Sequence, residues 1–325
     1  LTVVAPSGVD GLIGAVVLGM SRSGTSAVAG SFAACGFHAG TGETLIETNW
    51  ANPRGFFERR EVNALNDEIL AEAGGTWFCP PHPDSGWRPG ATDRRRAQAA
   101  LDRLIAEAGG APVVLKDPRI GVLLDLWLPL IDGHLAPVLV IRDPLEVALS
   151  LGTRDGTPLP FALGIWELHL RELLSRLDGH RVTVAPYPSV VSPLIAERVV
   201  ADAAEALAPD LRERVDQTAA GVGFDVSLRQ NIAQPGSSTH AAALSTRQLD
   251  LWQWLAALRP GNQVLQAPAE LLAPSSTAWA LGEDERVRRD AVQQIAVLQQ
   301  LLSSHENEIR RLQALVRSEQ DRLHG

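Results

Sequence analysis

The stretch VVLGMSRSGTSAVAG, residues 16–30, sets Gly19 and Gly24 between an apolar run and a pattern of small residues at helical spacing. Such a loop suits an anion. Glycines allow a tight turn, and the hydroxyls and N–H groups of Ser21 to Ser26 gather at a helix N-terminus, where the dipole favours negative charge. In the nucleotide triphosphatase pattern G-x-x-x-x-G-K-[ST], a lysine follows the second glycine. Thr25 stands there instead, and the cation of the loop is Arg22.

Two further apolar runs end in charge. VVLKDPRI carries Lys116, the single lysine among 29 Lys plus Arg, with Arg119 close behind. That isolation suggests a position needing a compact, rotatable ammonium, which a planar guanidinium does not replace; chance is the plain alternative. IRDPLEVALS places Arg142 at a strand end and Ser150 eight residues on, two turns into the next helix. A triphosphatase needs its lysine on the terminal phosphates and an acidic strand end for Mg²⁺. Here the strand ends lead with cations. Asp117 and Asp143 each precede a proline and suit fixing turns or pairing with arginines. The three loops together suit phosphates without a γ group, and no metal is expected.

The elements that must hold these loops follow from hydrophobic period. Strands are expected at 12–18, 111–119, 136–144 and 181–187. Helices are expected from Gly24, over 58–74, 92–109, 121–131, 161–178, 193–207 and 246–261, with another opening at LEVALSLG. Residues 76–90 read as a loop rich in proline and tryptophan, Arg94 to Arg96 as a solvated face, and the sequence from about 208 as polar and broken by Gly and Pro. Strand, loop and helix in repetition predict an α/β fold, a P-loop-like doubly wound parallel sheet flanked by helices, with ligands beyond the carboxyl ends of the strands.

Composition narrows the function classes. A net charge of −9 argues against a nucleic-acid binder, which would show a basic face, while a local basic pocket stays compatible with it. Cys35 and Cys79 stand in separate segments, which suggests neither a disulfide framework nor a zinc site and favours a cytoplasmic setting. No apolar run has the length of a membrane span, and the N-terminus lacks a signal-peptide layout. The chain opens at Leu1 rather than Met, consistent with trimming.

The motifs taken in order resemble the sulfotransferases that use 3′-phosphoadenosine 5′-phosphosulfate (PAPS). GMSRSGTS resembles their 5′-phosphosulfate loop and IRDPLEVALS their 3′-phosphate motif. KDPR resembles the segment that supplies a catalytic lysine in the tyrosylprotein branch and in many bacterial members. NPRGFFE (52–58), with LND and a tryptophan loop after it, resembles the bacterial carbohydrate or lipid branch. The likeness covers roughly residues 12–190. It implies that Arg22, Ser23, Gly24, Thr25 and Ser26 hold the 5′-phosphosulfate and that Arg142 and Ser150 hold the 3′-phosphate. Arg22 stands where cytosolic members carry lysine, so its role would be shared with Lys116. The family transfers a sulfuryl group in line to a hydroxyl, here of a carbohydrate, glycolipid or secondary metabolite. Lys116 and Arg22 would stabilise the leaving oxygen. Glu43, in GTGET, and Glu58, in GFFE, are both candidates for the general base. Either is equally readable as a structural carboxylate paired with Arg54, Arg59 or Arg60, and His38 is a weaker choice.

Other residues have plain readings beside functional ones. Trp77, Phe78 and Trp87 suit an acceptor groove or the packing of their loop. Trp127 and Trp166 suit the core, and Tyr187 a buried phenol or a nucleotide contact. Arg154 and Asp155 are expected to close the site from a loop after Ser150. Residues 1–275 form the expected α/β domain and 284–325 an amphipathic helix. There Ile295, Leu302, Ile309, Val316 and Leu323 recur every seven, with Leu298 and Leu312 between them and His305 and Glu319 at the remaining d positions. This is a short, imperfect coiled-coil seam for a homo-oligomer or partner, or a helix folded back on the domain. Two other functions remain open: a P-loop nucleotide or small-molecule kinase, and a non-catalytic nucleotide-binding scaffold built around the coiled coil.

Overall fold

The structure, a computed structural model, describes residues 12–50, 52–82, 85–187, 193–207, 209–211, 213, 242–273 and 275–324. Strands β1 (Gly14–Leu18), β2 (Val113–Lys116), β3 (Leu135–Ile141) and β4 (Arg181–Pro186) run parallel in the order β2-β1-β3-β4. The edge strand β5 (Gly261–Val264) joins β4 antiparallel. The helices, in chain order, are α1 (Thr25–Ala34), α2 (Arg60–Glu72), α3 (Ala91–Ala108), α4 (Leu124–Ile131), α5 (Pro144–Asp155), α6 (Leu159–Leu177), α7 (Pro193–Ala204), α8 (Thr246–Ala257), α9 (Ala269–Leu272) and α10 (Ser276–His324).

Strand period sorts the core into two layers. Ala15, Val17, Val114, Val138 and Val140 face Val28 and Phe32 of α1 and Val199 and Val200 of α7. Val16, Leu18, Leu115, Leu139 and Ile141 face the other way, into a larger core with Leu65, Leu104, Trp127 and Trp166. Both tryptophans are fully buried, as expected of core residues. After β1 the chain turns to the α1 face, whereas after β3 it turns to the opposite face and forms α5. Adjacent parallel strands whose connections diverge leave a crevice beyond their carboxyl ends. The three charged loops sit there.

Several boundaries differ from those expected. The 111–119 strand stops at Lys116, because Asp117 accepts a hydrogen bond from the Arg119 N–H (2.8 Å) and Pro118 opens a single 3₁₀ turn. The 246–261 helix opens on a capping box at Ser245 but ends at Ala257, and Gly261, at φ 103°, begins β5. That strand is too polar and short to carry an alternating signal. Arg154 and Asp155 lie in the last turn of α5, not in a loop. The C-terminal helix begins at Ser276 rather than near 284. Its first turns pack on α6 so closely that a Cβ on Gly164 would lie 2.9 Å from the Leu281 Cβ. It does not fold back beyond that: every residue from 290 to 314 is exposed. The stretch expected to be irregular from 208 falls largely outside the described residues, as do the side chains of Val316, Glu319 and Leu323. Among the described residues no helix is long and apolar enough to cross a membrane.

Candidate functional site

Register aims the strand-end side chains. Lys116 pairs with Val17, whose side chain faces α1, so Lys116 points to the same side and Asp117 to the other. The Lys116 ammonium donates to Ser26 Oγ on α1 (3.1 Å) and lies 2.5 Å from Glu58 Oε1. Both members of that ion pair are buried, at 3% and 6% exposure, so neither is compensated by solvent. Glu58 Oε2 accepts from Asn63 Nδ2 (3.2 Å) and stands 4.0 Å from Arg119 Nη1. The same Asn63 amide donates to Asp117 Oδ2 (3.1 Å), while Arg119 is drawn to Asp67 (2.6 Å). Asn63 therefore separates two buried carboxylates by giving each a donor.

The glycine loop is fixed from the neighbouring strands. Ile141 pairs with Pro186, so Arg142 and Tyr187 follow side by side, and the Arg142 guanidinium stacks 4.0 Å from the Tyr187 ring centroid. The ring lies against Gly24. A Cβ there would sit 2.3 Å from Tyr187 Cδ2, and the backbone, at φ 98°, already favours glycine. Gly19 is similarly constrained, with φ 147° and room so tight that a Cβ would lie 2.6 Å from the Val140 carbonyl oxygen. Arg142 donates to the Arg22 carbonyl (2.9 Å) and to Glu146 Oε2 (2.9 Å). Arg22 adopts the left-handed region at φ 69°, uncommon for a residue with a Cβ, and its Nε donates to Ser150 Oγ (2.9 Å). One turn beyond Ser150, Arg154 reaches Ser21 Oγ (3.4 Å) and pairs with Asp155.

At the start of α1 the N-cap Gly24 makes no side-chain cap, and the N–H groups of Thr25, Ser26 and Ala27 have no acceptor among the described residues. These are the orphan donors of a helix N-terminus. Burial pushes the Arg22 guanidinium down to about 10, and the nearby charges of Arg154 and Arg142 push in the same direction. The cluster is thus rich in donors, with Arg22, Lys116 and Arg142 gathered at the start of α1 and the buried carboxylates Glu58, Asp117 and Glu146 beside them. It can bind a polyanion, offset charge growing on an oxygen, and accept a proton.

No protein-family model, curated protein or solved structure matches the chain. Function therefore rests on the cluster itself.

Of the residues singled out in sequence, Arg22, Ser23, Gly24, Thr25, Ser26, Glu58, Lys116, Arg142 and Ser150 lie in this crevice or in the loop and helix start that form it. Ser150 meets Arg22, and Arg142 turns to Glu146 and Tyr187. Glu43 is exposed in the turn at 42–44 and has no hydrogen bond or ion pair with a described residue. His38 bridges to Val113 at the amino end of β2, the opposite end of the sheet, with Nε2 3.6 Å from Glu107. The pairings considered for Glu58 are otherwise distributed: Arg59 binds Glu61 and Glu107, and Arg60 binds Glu47. Asp143 caps α5 through Leu145 and Glu146 N–H groups, as a residue before proline is expected to do. Trp77, Phe78 and Trp87 pack on the larger core. Trp77 also lies 5.4 Å from the Arg154 guanidinium, and its carbonyl accepts from His169 Nε2. Asn63 and Glu146 were not singled out. Only the i, i+4 spacing of Glu146 from Arg142 carried a sequence signal.

Proposed function

We propose that the protein is a PAPS-dependent sulfotransferase acting on a hydroxyl of a carbohydrate, glycolipid or secondary metabolite. The observation that carries the reading is the convergence of Lys116, Arg22, Arg142 and Ser150 from three strand ends on the open N-terminus of α1. PAPS supplies a sulfuryl group whose bond to the nucleotide oxygen breaks as the acceptor oxygen bonds to sulfur.

The residues present suit that donor. Backbone N–H groups of residues 24–27 and the hydroxyls of Ser23, Thr25 and Ser26 offer donors for a 5′-phosphosulfate. Arg142 and Ser150 offer donors for a 3′-phosphate, with the Arg22–Ser150 hydrogen bond joining the two subsites. Lys116 and Arg22 offset the charge developing on the leaving oxygen in a site shielded from water. Glu58 takes the acceptor proton. It is preferred to Glu43 because it touches Lys116, whereas Glu43 is exposed. Asp117 and Asp143, the acidic groups a kinase would need at its strand ends, are engaged in capping and side-chain pairing.

Calorimetric titration without Mg²⁺ tests this directly. Adenosine 3′,5′-bisphosphate is expected to bind in the micromolar range, ATP far more weakly, and Arg142→Ala to lose about 10- to 100-fold in bisphosphate affinity. Binding of ATP with Mg²⁺ and not of the bisphosphate would replace this reading with a kinase.

A further inference from the structure

Beyond Arg289, which binds Thr157 Oγ1 (2.7 Å) on the α/β part, α10 continues as one uninterrupted helix. Ile295, Leu298, Leu302, Ile309 and Leu312 are each more than half exposed there. With His305 they occupy successive a and d positions of a heptad, which continues in sequence through Val316, Glu319 and Leu323. The charges stand off this seam, Glu306 paired with Arg310 and Glu308 with Arg311, at 3.6 Å each. A helix alone in water is only marginally held, and a continuous apolar stripe of this length marks a contact surface.

We propose that a second copy of this chain covers the stripe, the two helices forming a parallel, in-register, two-stranded coiled coil over residues 291–324. Three features select that occupant and orientation. The seam repeats every 3.5 residues, which fits another helix of the same repeat. In register, His305 meets His305 of its copy, so that one imidazole N–H has a ring nitrogen to donate to. An antiparallel pair overlapping fully would set His305 against Ile309 and leave it unpaired. Finally, the parallel pairing places Gln294 by Gln299, Leu301 by Glu306 and Glu308 by Gln313, so no like charges are opposed at these flanking positions, and Glu319, at a d position, is the like-charge contact of this register. The full antiparallel overlap would set Glu306 against its own copy and Glu308 likewise.

Sedimentation of the full chain over about 1–100 µM reads the assembly state. The expected species has twice the 34.8 kDa chain mass. Leu298→Glu with Leu302→Glu is expected to weaken association by about 100-fold or more while leaving the main thermal transition in place, because both residues are exposed in the monomer. Orientation is read by Leu302→Cys. In the parallel pair position 302 faces its own copy and cross-links under mild oxidation, and the native Cys35 and Cys79 are buried. A monomer throughout, a trimer, or cross-linking only when Leu312→Cys is added to Leu302→Cys would each overturn the proposal.

Discussion

Arginine is used in two opposite ways in this molecule. In the strand-end crevice, Arg22 is enclosed, its Nε is held by the neutral hydroxyl of Ser150, and burial with Arg154 and Arg142 lowers its proton affinity. On α10, Arg286 lies between Glu283 and Asp290, and its hydrogen bonds to Glu283 raise its proton affinity. The first setting concentrates positive potential at the cost of local stability. The second neutralises charge pair by pair. Desolvation makes the difference: a few ångströms of buried separation matter in the crevice, whereas water and salt screen the same charges on the helix.

That contrast is broken most severely at Lys116. Lys116→Ala leaves Glu58 buried without its ammonium, which is expected to cost about 3–5 kcal/mol of stability. Under the proposed sulfuryl transfer, release of bisphosphate from PAPS is expected to fall by about 10²-fold or more. Lys116→Met with Glu58→Gln should regain most of the lost stability without the activity. Thermal unfolding and a release assay separate the two effects, and an unchanged unfolding temperature in Lys116→Ala would show that the pair is not energetically coupled.

A smaller effect is expected at His169, buried beneath the Trp77 carbonyl. Burial pushes its imidazole down to about 4 from an ordinary 6.5. The unfolded chain therefore binds the extra proton first. Stability attributable to this group is complete above about pH 6.5 and declines as pH falls towards 4, by about 3 kcal/mol in total. His169→Gln should flatten the dependence of unfolding temperature on pH between 4 and 6.5. An undiminished slope would assign acid sensitivity elsewhere.

The least effect is expected at Arg286, a partly exposed residue of the anchored turns of α10. Arg286→Ala should change stability by no more than about 0.5 kcal/mol, and less at high salt. A loss comparable to that of Lys116→Ala, measured by denaturant unfolding, would erase the contrast between the two regions.

Legibility in the sequence followed the distance along the chain over which each feature is made. The glycine loop and the turn fixed by Asp143 are built from residues only a few positions apart, and both were readable. Glu58 and Glu43 were not separable, because the partner that distinguishes them, Lys116, lies 58 residues from Glu58 and arrives only when β2 docks beside β1. Arg154 and Asp155 are expected in a loop, yet α5 carries on to Asp155 through Gly152 and Thr153 and uses Ser150 and Arg154, one turn apart, on the same loop. Asn63 carried no signal, since an asparagine in the first turn of a helix is ordinary until two carboxylates from elsewhere converge on it.

The amino-acid sequence alone determined the alternating strands, the charged residues at their carboxyl ends and the heptad of the C-terminal helix, because period, loop chemistry and capping are short-range effects. Tertiary structure decided which carboxylate meets the lysine, that Ser150 binds Arg22, and that α10 is anchored through its first turns and exposed from residue 290 to 314. Those outcomes depend on parallel register and on which helix covers which face of the sheet, and both are settled only when distant segments bury their apolar faces together.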